Sequence, residues 1–187
     1  MTFKRSLLAV FVIELLIAVA SILLYGWNIE ALQATTRFSG RFSLIIFSSI
    51  FILIPYHRTK LAETLSDKFF LIFAFAHGIH LTELLSFVYV SGGKLIPLRV
   101  VGGALAYAMI FVMPFIEGRL AASKKLITEN IYLFYVWFVF FMTYLPRIQG
   151  KLQVGGTLPE FITLFSWVCI LLVIRIVLML TQRKIHA

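Results

Sequence analysis

The residues that could do chemistry in this 187-residue chain are concentrated in one short stretch, His77-Gly78-Ile79-His80-Leu81-Thr82-Glu83. On a helix His77 and His80 lie about 60° apart and Glu83 about another 60° round, so all three occupy one stripe. Gly78 leaves room for a close approach between the two histidines. Three kinds of chemistry compete for the stripe. A neutral imidazole can ligate haem iron, although two histidines on one helix cannot take opposite faces of one haem, so a second ligand must come from another segment. A small metal site could use His77, His80 and Glu83 with Glu14, although the ends of the stripe are ~9 Å apart along the axis. In the third reading the histidines bond to Ser, Thr or Glu of neighbouring helices, as ties or as a proton relay.

Glu14 and Arg175 also interrupt apolar runs. Ionisable groups at membrane depth are expensive unless partnered, which makes each a functional candidate. The two would pair if their segments touch; Arg175 lies closer to the end of its run and could instead snorkel to the interface. His57, beside Arg58, and His186 fall at segment ends, out of reach of a ligand at mid-membrane depth.

The elements that must position these groups follow from composition. Hydrophobic residues make up 61% of the chain, against about half in a soluble domain. One small core cannot bury that surplus, so it faces lipid. The expected fold is all-α: an integral membrane bundle of about six transmembrane helices in one domain covering residues 1–187, with spans near 6–25, 42–56, 69–90, 98–115, 131–145 and 160–181. The second and fifth spans are short and need Ser39, Gly40, Tyr144 and Pro146 at the interface. The strict alternation of a membrane β-barrel is absent. The first run continues through Leu24-Tyr25 and contains Glu14, which favours a span over a cleaved signal peptide.

The net charge of +9 does not point to nucleic acid, because the basic residues sit between apolar runs. One side collects Lys4, Arg5, Arg58, Lys60, Lys68, Arg119, Lys124, Lys125, Arg183 and Lys184; the other collects Arg37, Arg41, Lys94, Arg99, Arg147 and Lys151. This excess places the N and C termini in the cytoplasm. The lone Cys169 excludes an intrachain disulfide. Gly102, Gly103, Ala104, Ala106 and Ala108 give the fourth span a small-residue face, and Ser43, Ser48 and Ser49 do the same for the second, as close helix packing in lipid requires. The fifth span is nearly a continuous aromatic wall from Tyr132 to Phe141.

The order of several segments resembles the ferric-reductase-like transmembrane domain family, especially the haem-binding membrane subunits of bacterial methionine sulfoxide reductase systems. Phe38-Ser39-Gly40-Arg41 and Pro55-Tyr56-His57-Arg58 are similar to the opening and close of that family's second helix. Phe73-Ala74-Phe75-Ala76-His77-Gly78-Ile79-His80-Leu81 is similar to its third, with His80 the better match to the axial histidine. Val101-Gly102-Gly103 through Met113-Pro114, followed by Arg119, Lys124 and Lys125, is similar to its fourth. The resemblance covers residues 37–147 and implies six helices in the bacterial inner membrane with both ends inside. It also implies a b-type haem held through the third helix, with His80 or His77 on the iron and electrons relayed for a membrane or soluble redox partner. The family's fifth-helix histidines are replaced here by Phe134 and Arg147, and no histidine occurs between His80 and His186. A haem here would therefore be five-coordinate or completed by Met142, Met109 or Met113. Arg37, Arg41 or Arg99 would meet its propionates. The other expectations are a haem-free accessory or scaffold subunit of a membrane complex, and a small transporter or proton-conducting protein using Glu14, His80, Glu83 and Arg175.

Overall fold

Backbone groups in hydrocarbon must find partners within their own segment, and long apolar runs satisfy this only as helices. A computed structural model of the chain describes residues 3–53, 60–93, 97–151 and 155–186. Its elements are α1 (Phe3–Tyr25), α2 (Ile29–Leu53), α3 (Lys60–Val90), α4 (Pro97–Ile116), a 3₁₀ turn at Glu117–Arg119, α5 (Ala122–Ile148) and α6 (Leu158–His186). No strand occurs among the described residues, and six helices are long and apolar enough to cross a membrane. The all-helical membrane bundle expected from composition is the observed architecture.

Two connections show how the sequence ends one helix and starts the next. Gly26 terminates α1 at φ +80°, a conformation open to glycine, and its N–H donates to the Ile22 carbonyl at 2.8 Å. Two residues on, the Asn28 side chain accepts from the Ala31 N–H at 3.0 Å and caps α2. At the connection between α5 and α6, Glu160 Oε2 accepts the Thr157 N–H at 3.0 Å, the side-chain-to-backbone half of a capping box that opens α6.

The helix bounds differ from expectation most at α2 and α5. The second helix begins at Ile29 rather than Phe42, and the fifth runs from Ala122 to Ile148 rather than 131–145. Ser39 and Gly40 lie well inside α2, whereas Tyr144 and Pro146 lie near the C-terminal end of α5. The reason is that α2 is central: it packs against α1, α3 and α6. A helix surrounded by protein can carry Thr35, Thr36 and Ser39, all buried, because their cost is set by the protein interior and not by lipid. Thr35 and Thr36 donate to carbonyls one turn back, at 2.9 Å each.

The lipid-facing surface is apolar, as on α1, where Leu8, Leu16, Leu23 and Leu24 are exposed while its buried residues are Val10, Glu14 and Ser21. The core is aromatic. Phe47 on α2 touches the rings of Phe51, Phe73 and Phe140 at 5.2–5.6 Å, joining α2, α3 and α5. The α5 wall is divided: Tyr132, Leu133, Val136, Phe140 and Tyr144 are buried, while Phe138 and Met142 are exposed. Trp137 Nε1 donates to the Val168 carbonyl of α6 at 2.9 Å. Trp137→Phe keeps the ring packing and removes that bond, so it is expected to cost about 1 kcal/mol, measured as a lower unfolding midpoint of the detergent-solubilised protein.

The small-residue faces have different roles from those expected. Ser43 and Ser48 are buried between helices, but Ser49 is exposed and donates to its own helix. Of the small residues on that face of α4 only Ala106 is buried, and a Cβ at Gly102 or Gly103 would meet nothing within 4 Å. These glycines border space, not a packed neighbour.

Candidate functional site

The space beside Gly103 is a cavity of about 330 Å³ enclosed by α2, α3, α4, α5 and the start of α6, at the lower end of the range for small-ligand sites. His77 and His80 both line it. Their rings are 5.4 Å apart. His77 is buried and packs against Phe73, Tyr107 and Phe140, with ring centroids at 5.1, 4.8 and 6.0 Å. Its Nδ1 is hydrogen-bonded to Ser43 Oγ at 2.6 Å, which leaves Nε2 as the nitrogen that can meet a ligand. His80 sits against α2, where the absence of a side chain at Gly40 makes room for it: a Cβ there would be 2.9 Å from His80 Cε1. Gly78, expected to admit a close neighbour, receives Phe111 of α4, whose ring would be 3.3 Å from an added Cβ.

One end of the cavity is cationic. Arg37, Arg41 and Arg147 line it together with Gly155, while no carboxylate is among its lining residues. Arg37 donates to the Gly155 carbonyl at 3.0 Å, Arg41 pairs with Glu160 at 3.2 Å, and Arg147 donates to the Thr143 carbonyl. Arg37 and Arg41 also lie over the Phe38 ring. These contacts hold the guanidiniums near the loop end of α5 and the start of α6. Arg37 and Arg41 are thus not loop charges flanking the membrane, as their placement among the outer basic residues assumed, but side chains of α2 at the cavity.

The expected stripe divides. Glu83 does not line the cavity with His77 and His80; it lies by Ser39 and Glu14 at the junction of α1, α2 and α3. Among the described residues no group of three His, Cys, Asp or Glu is placed to hold a metal ion, so the His77–His80–Glu83 metal site is not formed. Met142, expected as a second haem ligand, is exposed and lies off the cavity. Met109 and Met113 line a separate apolar groove between α4 and α5. Each of these methionines is turned away by helix phase, since the cavity is faced by Val136, Val139, Phe140 and Thr143 on α5 and by Gly103, Ala106, Tyr107 and Ile110 on α4.

Glu14 and Arg175 do not pair, nor does Arg175 snorkel. The α6 helix packs on α5 and α2, while α1 packs on α2 and α3, so the two residues belong to different interfaces. Arg175 is only 2% exposed. It donates to the Phe51 carbonyl at 2.5 Å and to Asn130 Oδ1 at 2.6 Å, and lies over the rings of Phe51 and Phe134. Nearby, Lys125 pairs with Glu117 at 2.9 Å and approaches Glu129 at 3.9 Å. Glu117 and Glu129 are buried, although they read in sequence as ordinary end-of-helix charges. His57 lies outside the described residues, as do the side chains of Arg99 and His186.

No protein-family model matches the chain, and comparison with curated proteins and with solved structures finds no match.

Proposed function

We propose that the chain is a multi-pass protein of the bacterial inner membrane, both termini cytoplasmic, that binds one b-type haem through α3 and relays electrons for a partner, as in ferric-reductase-like membrane domains. The observation that carries this reading is the convergence, in one cavity, of two imidazoles, aromatic walls and three guanidiniums at one end. An apolar planar group with carboxylates at one edge matches that distribution. His77 is the better candidate ligand than His80, because its Nδ1 is already engaged by Ser43. When Nδ1 carries the proton, Nε2 offers its lone pair with the ring orientation set, the arrangement common to ligating histidines. Phe73, Tyr107 and Phe140 exclude water around that nitrogen, and Arg37, Arg41 and Arg147 offer charge-assisted hydrogen bonds to carboxylates. A bound haem would supply one-electron chemistry, tuned by its axial ligand and the dielectric of the site. The cytoplasmic termini rest on the excess of basic residues at one end of the spans.

A second reading is a haem-free accessory or scaffold subunit. It is favoured by the absence of a histidine or methionine from any helix but α3 among the described cavity residues, and by the stacking of Tyr107 and Phe73 on His77. The absorption spectrum of protein purified from haem-supplied cells separates the two. The haem reading expects a Soret band that His77→Ala abolishes and His80→Ala shifts or weakens. Colourless protein, or a band unaltered in both variants, removes it.

A further inference from the structure

We propose that Glu14 and Glu83 form a proton-sharing carboxyl pair at the junction of α1, α2 and α3, a membrane-embedded proton site distinct from the histidine cavity. Glu14 lies midway along α1 and is 3% exposed, yet neither of its carboxyl oxygens has a hydrogen-bond partner. Glu83, on α3, is its charged neighbour, and its Oε2 is likewise buried without a partner. Ser39, fully buried on α2, lies within reach of both carboxyls, yet its Oγ closes a well-formed hydrogen bond to neither. Buried polar groups in native proteins are almost always satisfied, and a cluster of orphans marks a missing proton, water or ion.

Electrostatics selects the proton. Two ionised carboxylates side by side at this depth would be poorly hydrated and would repel one another in a medium of low dielectric. Among the described residues neither makes an ion pair with Lys or Arg. The described polar group facing the pair is Ser39 from α2; His80, one turn back on α3, packs instead against Gly40 of α2. A divalent ion would require more donors than two carboxyls and a hydroxyl supply, and the described residues hold no third acidic or imidazole group placed to complete such a set. One proton between the two carboxyls removes a charge, converts one oxygen into a donor for the other, and leaves the Ser39 hydroxyl free to donate to the remaining acceptor. On the N-terminal side of α1 the site is closed by Val10, Ile72 and Ala76.

The test is the infrared spectrum of the full-length protein in lipid nanodiscs at neutral pH. The pair gives a C=O stretching band of a protonated carboxyl that moves on transfer to D₂O, shifts in Ser39→Ala, shifts in Glu14→Gln and in Glu83→Gln, and is lost in the double variant. Glutamine preserves shape, and elution of each variant as a single species by size-exclusion chromatography verifies that it folds. If the double variant does not fold, the single variants decide: a band at the wild-type frequency in both overturns the proposal. So does a wild-type spectrum without the band, a band retained unchanged in a folded double variant, or a band that appears only when sodium is replaced by choline, which would assign the site to a metal cation.

Discussion

Replacing Arg175 with leucine is expected to destabilise the bundle by about 3–5 kcal/mol, the range seen when one partner of a buried charged network is removed. Arg175 bonds to the carbonyl of Phe51 in the last turn of α2 and to the Asn130 side chain of α5. The last carbonyls of a helix have no intrahelical donor, and a cation there is also favoured by the helix dipole. One guanidinium thus ties the end of α2 to α5 and α6 while stacking on Phe51 and Phe134. Leucine would leave the carbonyl and the amide without their donor, and would remove one of the cations near Glu129. Lysine keeps the charge but concentrates it on one nitrogen, without the planar fork whose two nitrogens reach the two acceptors, so Arg175→Lys should fall between leucine and wild type. The measurement is the unfolding midpoint in detergent, followed by size-exclusion elution after heating. A snorkelling arginine would tolerate leucine with little loss, so a change below about 1 kcal/mol would overturn the tie.

Gly40→Val is expected to cost about 1–3 kcal/mol, as overpacking does, and to displace His80. A Cβ at position 40 would lie 2.9 Å from His80 Cε1 and 3.3 Å from Nε2. The ring is held between α2 and the cavity, so either the helices separate or the imidazole moves. The informative control is Gly103→Ala, where a Cβ meets nothing within 4 Å. Alanine is the better helix former by roughly 1 kcal/mol, so Gly103→Ala should stabilise while Gly40→Ala destabilises. The same thermal assay reads both, and equal effects at the two positions would mean that the close approach of α2 to His80 is not made. In a haem-containing preparation Gly40→Val should also alter the absorption spectrum, since His80 borders the proposed site.

The histidine pair illustrates how far the sequence reaches. Three residues of spacing on a helix put His77 and His80 on one side, and the structure turns both toward the same cavity. The next residue at that spacing, Glu83, leaves the stripe because 60° of further rotation, added to the first 60°, carries it past the α2 contact to face α1. Helix phase also separates Met142 from the cavity, although the neighbouring Thr143 lines it. Those outcomes depend on which neighbour each face meets, and that is a property of the assembled bundle. The arginines make the same point. In sequence, Arg37 and Arg41 look like charges that stop a span, since a charge facing lipid does. In the bundle they lie inside α2 on a face that meets protein, where Gly155, Glu160 and Phe38 hold them.

Composition and apolar run length by themselves determined the class of this protein. Bilayer thickness and the need to satisfy backbone groups leave a chain with this pattern few alternatives to an all-helical membrane bundle, and both constraints are local. They also showed that the ionisable residues in the runs would be buried and in need of partners. Only the tertiary structure decided the surroundings: Ser43 bonds His77, Asn130 and the Phe51 carbonyl bond Arg175, and Glu14 is set beside Ser39 and Glu83. Helix packing in lipid is selected by steric fit and by a few polar contacts between distant segments, and neither is encoded in the periodicity of any one helix. The stripe His77–His80–Glu83 therefore became two sites, a histidine-lined cavity with a cationic end and a carboxyl pair behind it, because α2 passes between them.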